Sequence, residues 1–79
     1  MESDIKKVVL EKLRSQSGLD MIREDDHLRE DLGISSLGMM MILIDLEQVL
    51  SIAIDFSRLV NVKTAGQLTD AIVSMVLSS

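Results

Sequence analysis

Cysteine is absent from this chain, which removes a disulfide framework, a zinc–thiolate site and a cysteine nucleophile. Tryptophan and tyrosine are absent too, and Phe56 is the single phenylalanine, so base stacking and aromatic cages are not available. Basic charge is scarce. Eight Lys and Arg stand against 13 Asp and Glu, a net charge of −5. Binding a phosphate backbone requires a basic surface, so this balance argues against nucleic acid and favours partners with basic docking patches. No charge-free apolar run approaches the length that crosses a bilayer, so no membrane span is expected. Glu2, Asp4, Lys6 and Lys7 fall within the first seven residues, where a secretory leader would be basic and then apolar. A cytoplasmic location is expected.

What remains is a small apolar chain. Its 79 residues are 47% hydrophobic, enough for one globular domain over 1–79 and too many for a disordered tail. His27 is the only histidine. With no cysteine either, no serine has an activating partner of the usual kind. The acidic cluster Glu24, Asp25, Asp26, Glu30 and Asp31 lacks the alternating order of a calcium loop and reads as solvated, with no metal expected. The chain reads as a substrate of enzymes and not as an enzyme.

Helical spacing organises most of the sequence. Ile5, Val8, Val9 and Leu13 share a face, with Leu10 to one side, and predict a helix over 4–15 capped by Ser3 or Asp4 and closed by Gly18. Residues 16–34 form a long connection. Leu19, Met21, Ile22, Leu28 and Leu32 give it something to bury, so it is expected to pack as an ordered loop with short turns, His27 being solvated. A second helix is predicted over 36–50, with Met39, Ile42, Leu43, Leu46 and Leu50 as its core stripe. Asp55 or Ser57 is placed to cap a brief helix around 58–60. Thr64-Ala65-Gly66-Gln67 has the form of a capping box and opens a last helix over 65–77. Leu68, Ala71, Ile72, Met75 and Val76 are its predicted buried stripe, and Ser78 and Ser79 are expected to fray. The fold class is all-α: a small four-helix bundle, three main helices plus one short one, with a long first loop.

One stretch orders the rest. Asp31-Leu32-Gly33-Ile34-Ser35-Ser36-Leu37 runs from the acidic loop into the most apolar helix. Gly33 suits a chain reversal, since it takes positive φ at little cost. Ser35 fits the N-cap, which leaves the Ser36 hydroxyl in the first helical turn at the surface. An anion on Ser36 would lie in the partial positive charge of the helix start. The far side of this helix carries Leu37, Met41, Ile44 and Gln48, with Met40 at its edge, an apolar strip of the kind that marks a partner surface. Gly38 either allows close approach beside Ser36 or is a tolerated substitution costing about 0.5–1 kcal/mol.

Asp-Leu-Gly-x-x-Ser-Leu opening an apolar helix resembles the attachment site of acyl carrier proteins, and the likeness extends over nearly the whole chain. The resemblance implies that Ser36 carries a 4′-phosphopantetheine arm from coenzyme A, with Asp31, Leu32, Gly33, Ser35 and Leu37 around the attachment. It implies an acyl thioester on that arm, presented to enzymes of fatty-acid, lipid or secondary-metabolite synthesis. Leu37, Met40, Met41, Ile44 and Glu47 would meet partners: a phosphopantetheinyl transferase and acyl-transferring or acyl-modifying enzymes. Leu43, Leu46, Ile54, Phe56, Leu59, Val60 and Val62 would shelter the acyl chain, though periodicity alone makes them ordinary core. A monomer is expected.

The chain also departs from the family. Ser35 stands where typical fatty-acid carriers have Asp, Leu28 where a Phe is frequent, and Gly38, Met41 and Gln48 where acidic residues are common. Electrostatic steering is therefore expected to be weaker and docking more apolar, which suggests a specialised carrier. An aminoacyl or peptidyl carrier is the nearest alternative. A helical interaction module without a prosthetic group is the alternative from another class.

Overall fold

A computed structural model describes residues 1–78, with helices α1 (Glu2–Ser17), α2 (Ser36–Leu50) and α3 (Ala65–Leu77) and a one-turn 3-10 helix (Phe56–Leu59) between α2 and α3. The expected fraying of Ser79 lies outside the described residues. Helix α1 packs against both α2 and α3, and the 3-10 turn rests on α3. The core joins Ile5, Val9 and Leu13 of α1, Ile42, Leu43 and Leu46 of α2, and Leu68, Ile72 and Met75 of α3. Val9, Leu46 and Ile72 are fully buried, and each such side chain contributes about 1.5–3 kcal/mol through the apolar area it removes from water.

The elements follow the predicted pattern with four differences. Helix α1 begins at Glu2 with Met1 as its cap, and no side chain caps it. Ser3 and Asp4 therefore lie inside the first turn, where an acidic residue is favoured by the helix dipole. The short helix begins at Phe56, two residues before the expected start, and its cap is Asp55. Val73 and Thr69 of α3 are buried although the predicted stripe omits them, while Ala71 and Val76 are only half-buried. Thr69 tolerates burial because its hydroxyl donates to Ala65 O at 2.8 Å. Finally, α2 ends on Ser51, which holds the left-handed conformation at φ 55° without being a glycine.

The long first loop is ordered because its backbone bonds to the start of α3. Leu28 N–H donates to Lys63 O at 2.8 Å, Ala65 N–H to Asp26 O at 3.0 Å and Gly66 N–H to Glu24 O at 2.8 Å. His27 and Thr64 form an isolated antiparallel bridge at the same place. Gly66 permits this approach. A Cβ there would lie 3.0 Å from Glu24 O and 3.1 Å from Glu24 Cβ, tighter than most side chains stand, so the loop would have to shift by a few tenths of an ångström to admit it.

The loop's second half is a single helical turn. Asp31 and Leu32 N–H both donate to His27 O, and Gly33 N–H donates to Arg29 O at 3.0 Å. Gly33 ends that turn at φ 67°, the left-handed closure that costs glycine little. Leu28, Leu32 and Ile34 are buried beneath the turn.

Candidate functional site

The site grows from the start of α2. The Ser35 hydroxyl accepts from Gly38 N–H at 3.0 Å, and Ser35 O accepts from Met39 N–H at 2.8 Å. Ser35 is thereby used as the cap. Ser36, the first helical residue, is exposed, and its hydroxyl makes no hydrogen bond among the described residues. The N–H groups of Ser36 and Leu37 also lack a protein acceptor there. Such unpaired N–H groups and the helix dipole favour an anion at this end.

Gly38 faces inward. It is buried, and a Cβ on it would meet Gln16 Oε1 at 3.1 Å and Ile34 Cγ2 at 3.4 Å. The end of α1 and the first loop, and not an outside molecule, occupy the space beside it.

His27 is not the solvated loop residue expected. It is half-buried, and its Nδ1 accepts from Arg29 N–H at 3.3 Å and Glu30 N–H at 3.2 Å. In return Asp31 Oδ2 accepts from His27 N–H at 2.6 Å. Asp31 thus acts on the turn that leads into Ser36. The reciprocal pair resembles a capping box, and its signal in the sequence was an imidazole two and three residues ahead of the N–H groups it serves.

Beside Ser36 lies an open groove of about 540 Å³. Leu28 and Ile34 come to it from the loop, Met39, Met40 and Leu43 from α2, and Val60 and Val62 from the segment before α3. Of the seven residues expected to shelter a chain, Leu43, Val60 and Val62 line it. Leu46 and Ile54 are buried in the core, Phe56 is 44% exposed, and Leu59 is half-buried against the core. Periodicity locates helix faces. It does not locate a groove assembled from three separate segments.

The strip on the outer side of α2 is open. Leu37 is 71% exposed, Met40 and Met41 are each 50%, and Ile44 is 46%. The remaining acids of this helix have internal partners. Glu47 Oε2 accepts from Ile54 N–H at 2.9 Å, which holds the chain after α2, and Asp45 lies 3.8 Å from Lys12 Nζ.

This arrangement suits a group attached through a phosphodiester: a free hydroxyl, unpaired N–H donors around it, and a groove alongside. The family model described as the phosphopantetheine attachment site matches residues 7–72. The chain belongs to the acyl carrier family. A probable acyl carrier protein of Caulobacter vibrioides (strain NA1000 / CB15N) is 39% identical to this carrier over 51 residues, which span 65% of this chain and 59% of that protein. The carrier thus covers about three fifths of the relative's length. Its prosthetic group is 4′-phosphopantetheine, and a carrier of this kind works with enzymes that modify it. No helix among the described residues is long and apolar enough to cross a membrane.

Proposed function

We propose that Ser36 is the attachment residue and that the chain carries acyl groups without transforming them. One observation carries the assignment of the position. Of the two adjacent serines, Ser35 has its hydroxyl engaged with Gly38 N–H, while Ser36 has its hydroxyl exposed and without a hydrogen bond among the described residues. Loading joins Ser36 Oγ to the phosphorus of coenzyme A that bears the pantetheine. The pyrophosphate bond breaks, adenosine 3′,5′-bisphosphate leaves, and the hydroxyl proton passes to the transferase. The bound group supplies a thiol on a long arm, able to hold an acyl group as a thioester, in a chain that has no cysteine of its own. Tethering keeps the cargo at high effective concentration near each docked enzyme.

The residues of the chain divide the remaining work. Asp31, His27 and Gly33 fix the turn that delivers Ser36. Leu37, Met40, Met41 and Ile44 offer a flexible apolar docking strip. Glu47 is half-buried and bonded to Ile54 N–H, and Asp45 lies beside Lys12, so both acids of α2 are partly committed to contacts within the chain. Docking then rests on apolar contact, which fits a specialised cytoplasmic carrier of fatty-acid, lipid or secondary-metabolite synthesis with its own cognate enzymes. The same exposed strip supports a second reading, a module that binds a partner helix and needs no arm.

Intact mass before and after incubation with coenzyme A and a broad-specificity phosphopantetheinyl transferase separates the two. The carrier gains one phosphopantetheine, retains the gain in Ser35→Ala and loses it in Ser36→Ala. A gain in Ser36→Ala moves the attachment to Ser35, and no gain in the wild type favours the helix-binding module.

A further inference from the structure

The groove beside Ser36 has an electrostatic character opposite to that of the chain. Thirteen acidic residues outnumber eight basic ones in the sequence, yet no Asp or Glu lines the groove, while Arg29, Lys63 and His27 do. Arg29 and Lys63 are exposed, and their side chains make no ion pair or hydrogen bond among the described residues. Both are positioned by their backbones. Arg29 N–H donates to His27 Nδ1, and Lys63 O accepts from Leu28 N–H at 2.8 Å. His27 accepts at Nδ1 from two N–H groups, so the proton of the neutral ring is on Nε2 and the ring adds a donor. A groove meant only for hydrocarbon gains nothing from two uncompensated cations. One that receives an anionic oxygen gains charge-assisted hydrogen bonds.

We propose that Arg29 and Lys63, with His27 lining the same groove, clamp an anionic oxygen of the group attached at Ser36, and so hold the loaded arm in the groove. Two sources present that chemistry: the phosphodiester of the arm and a carboxylate at the free end of an acid-terminated cargo. The proposal rests on Ser36 being the attachment residue.

The test compares wild type, Arg29→Gln, Lys63→Gln, the double variant and Lys6→Gln as a surface control. Each is loaded with the bare arm, a propionyl arm and a malonyl arm, the last two equal in carbon count and different in charge. Mass spectrometry first verifies loading on Ser36. If the wild type does not load there, the attachment reading fails and the clamp falls with it. In loaded wild type, the Arg29 side-chain and Lys63 amide signals shift in nitrogen–proton spectra. The docking equilibrium, read from the amide shifts of the groove residues Met39, Leu43 and Val62 that every variant keeps, falls about two- to fivefold for each cation removed, and Lys6→Gln leaves it unchanged. Equal shifts with all three arms assign the anion to the phosphodiester, and shifts with the malonyl arm alone assign it to the cargo. Verified loading without shifts in any arm overturns the clamp. So does docking of the malonyl arm, which carries both anions, that persists undiminished in the double variant.

Discussion

Helices α2 and α3 open with the same chemistry and end up in opposite states. Each begins on a hydroxyl cap that accepts from the third helical N–H: Ser35 from Gly38, and Thr64 from Gln67 at 3.2 Å. Each has a glycine in its first turn. At α3 the first two N–H groups donate to Asp26 O and Glu24 O, and Gln67 Oε1 completes the capping box by accepting from Thr64 N–H. At α2 the first two N–H groups have no protein acceptor among the described residues. A chain that closes one helix start so fully and leaves the other bare has separated structure from function along its own length. The first start fastens the loop. The second is the one that the proposed attachment at Ser36 would use.

The largest break in this comparison is chemical. Ser36→Ala abolishes phosphopantetheine transfer, read by intact mass, while Thr64→Ala leaves transfer in place. Next come the glycines. Gly66→Ala drives a Cβ against the Glu24 backbone and lowers stability by about 1–3 kcal/mol in urea unfolding. Gly38→Ala meets the movable tip of Gln16 and gains helix propensity, so stability rises by about 0.5–1 kcal/mol. A loss at Gly38 as large as that at Gly66 would erase the distinction between the two helix starts. The caps follow, with Ser35→Ala and Thr64→Ala each costing about 1 kcal/mol, measured the same way.

The smallest effect concerns a third start, that of the 3-10 turn. The Ser57 hydroxyl and backbone N–H, with Arg58 adding a lesser attraction, hold the Asp55 carboxyl below its ordinary 3.8. A depressed folded value means that the cap's contribution is complete above the unfolded pKa and is lost as pH falls through the folded one. Ser57→Ala moves the Asp55 midpoint upward toward 3.8 in an NMR titration. No movement would remove Ser57 as the cause.

Much of this was legible from residue order alone. Helix α2 occupies the predicted 36–50, and the Thr64 capping box opens α3 where its pattern stands. Both depend on neighbours within four positions. The α1 cap was misread because Ser3 and Asp4 suit the first turn as well as the cap, and spacing does not separate those registers. The roles of His27 and Glu47 were missed because a hydrogen bond from a side chain to a loop N–H leaves no periodic trace. The groove was only half legible. Leu43 has a helical period to announce it, and the family resemblance points to Val60 and Val62, whereas Arg29 and Lys63 meet it only through the folding of the loop onto α3.

That loop has a consequence for the order in which the chain acquires its parts. Glu24, Asp26 and Leu28 have backbone partners in Gly66, Ala65 and Lys63, a non-local pairing whose closure entropy is spent before the contacts form. Helix α2 and its serine precede those partners in the chain, so during synthesis Ser36 exists before the turn that presents it is anchored. Recognition of the assembled turn by a loading enzyme would therefore also inspect completeness, since a chain cut before α3 offers the serine without its setting.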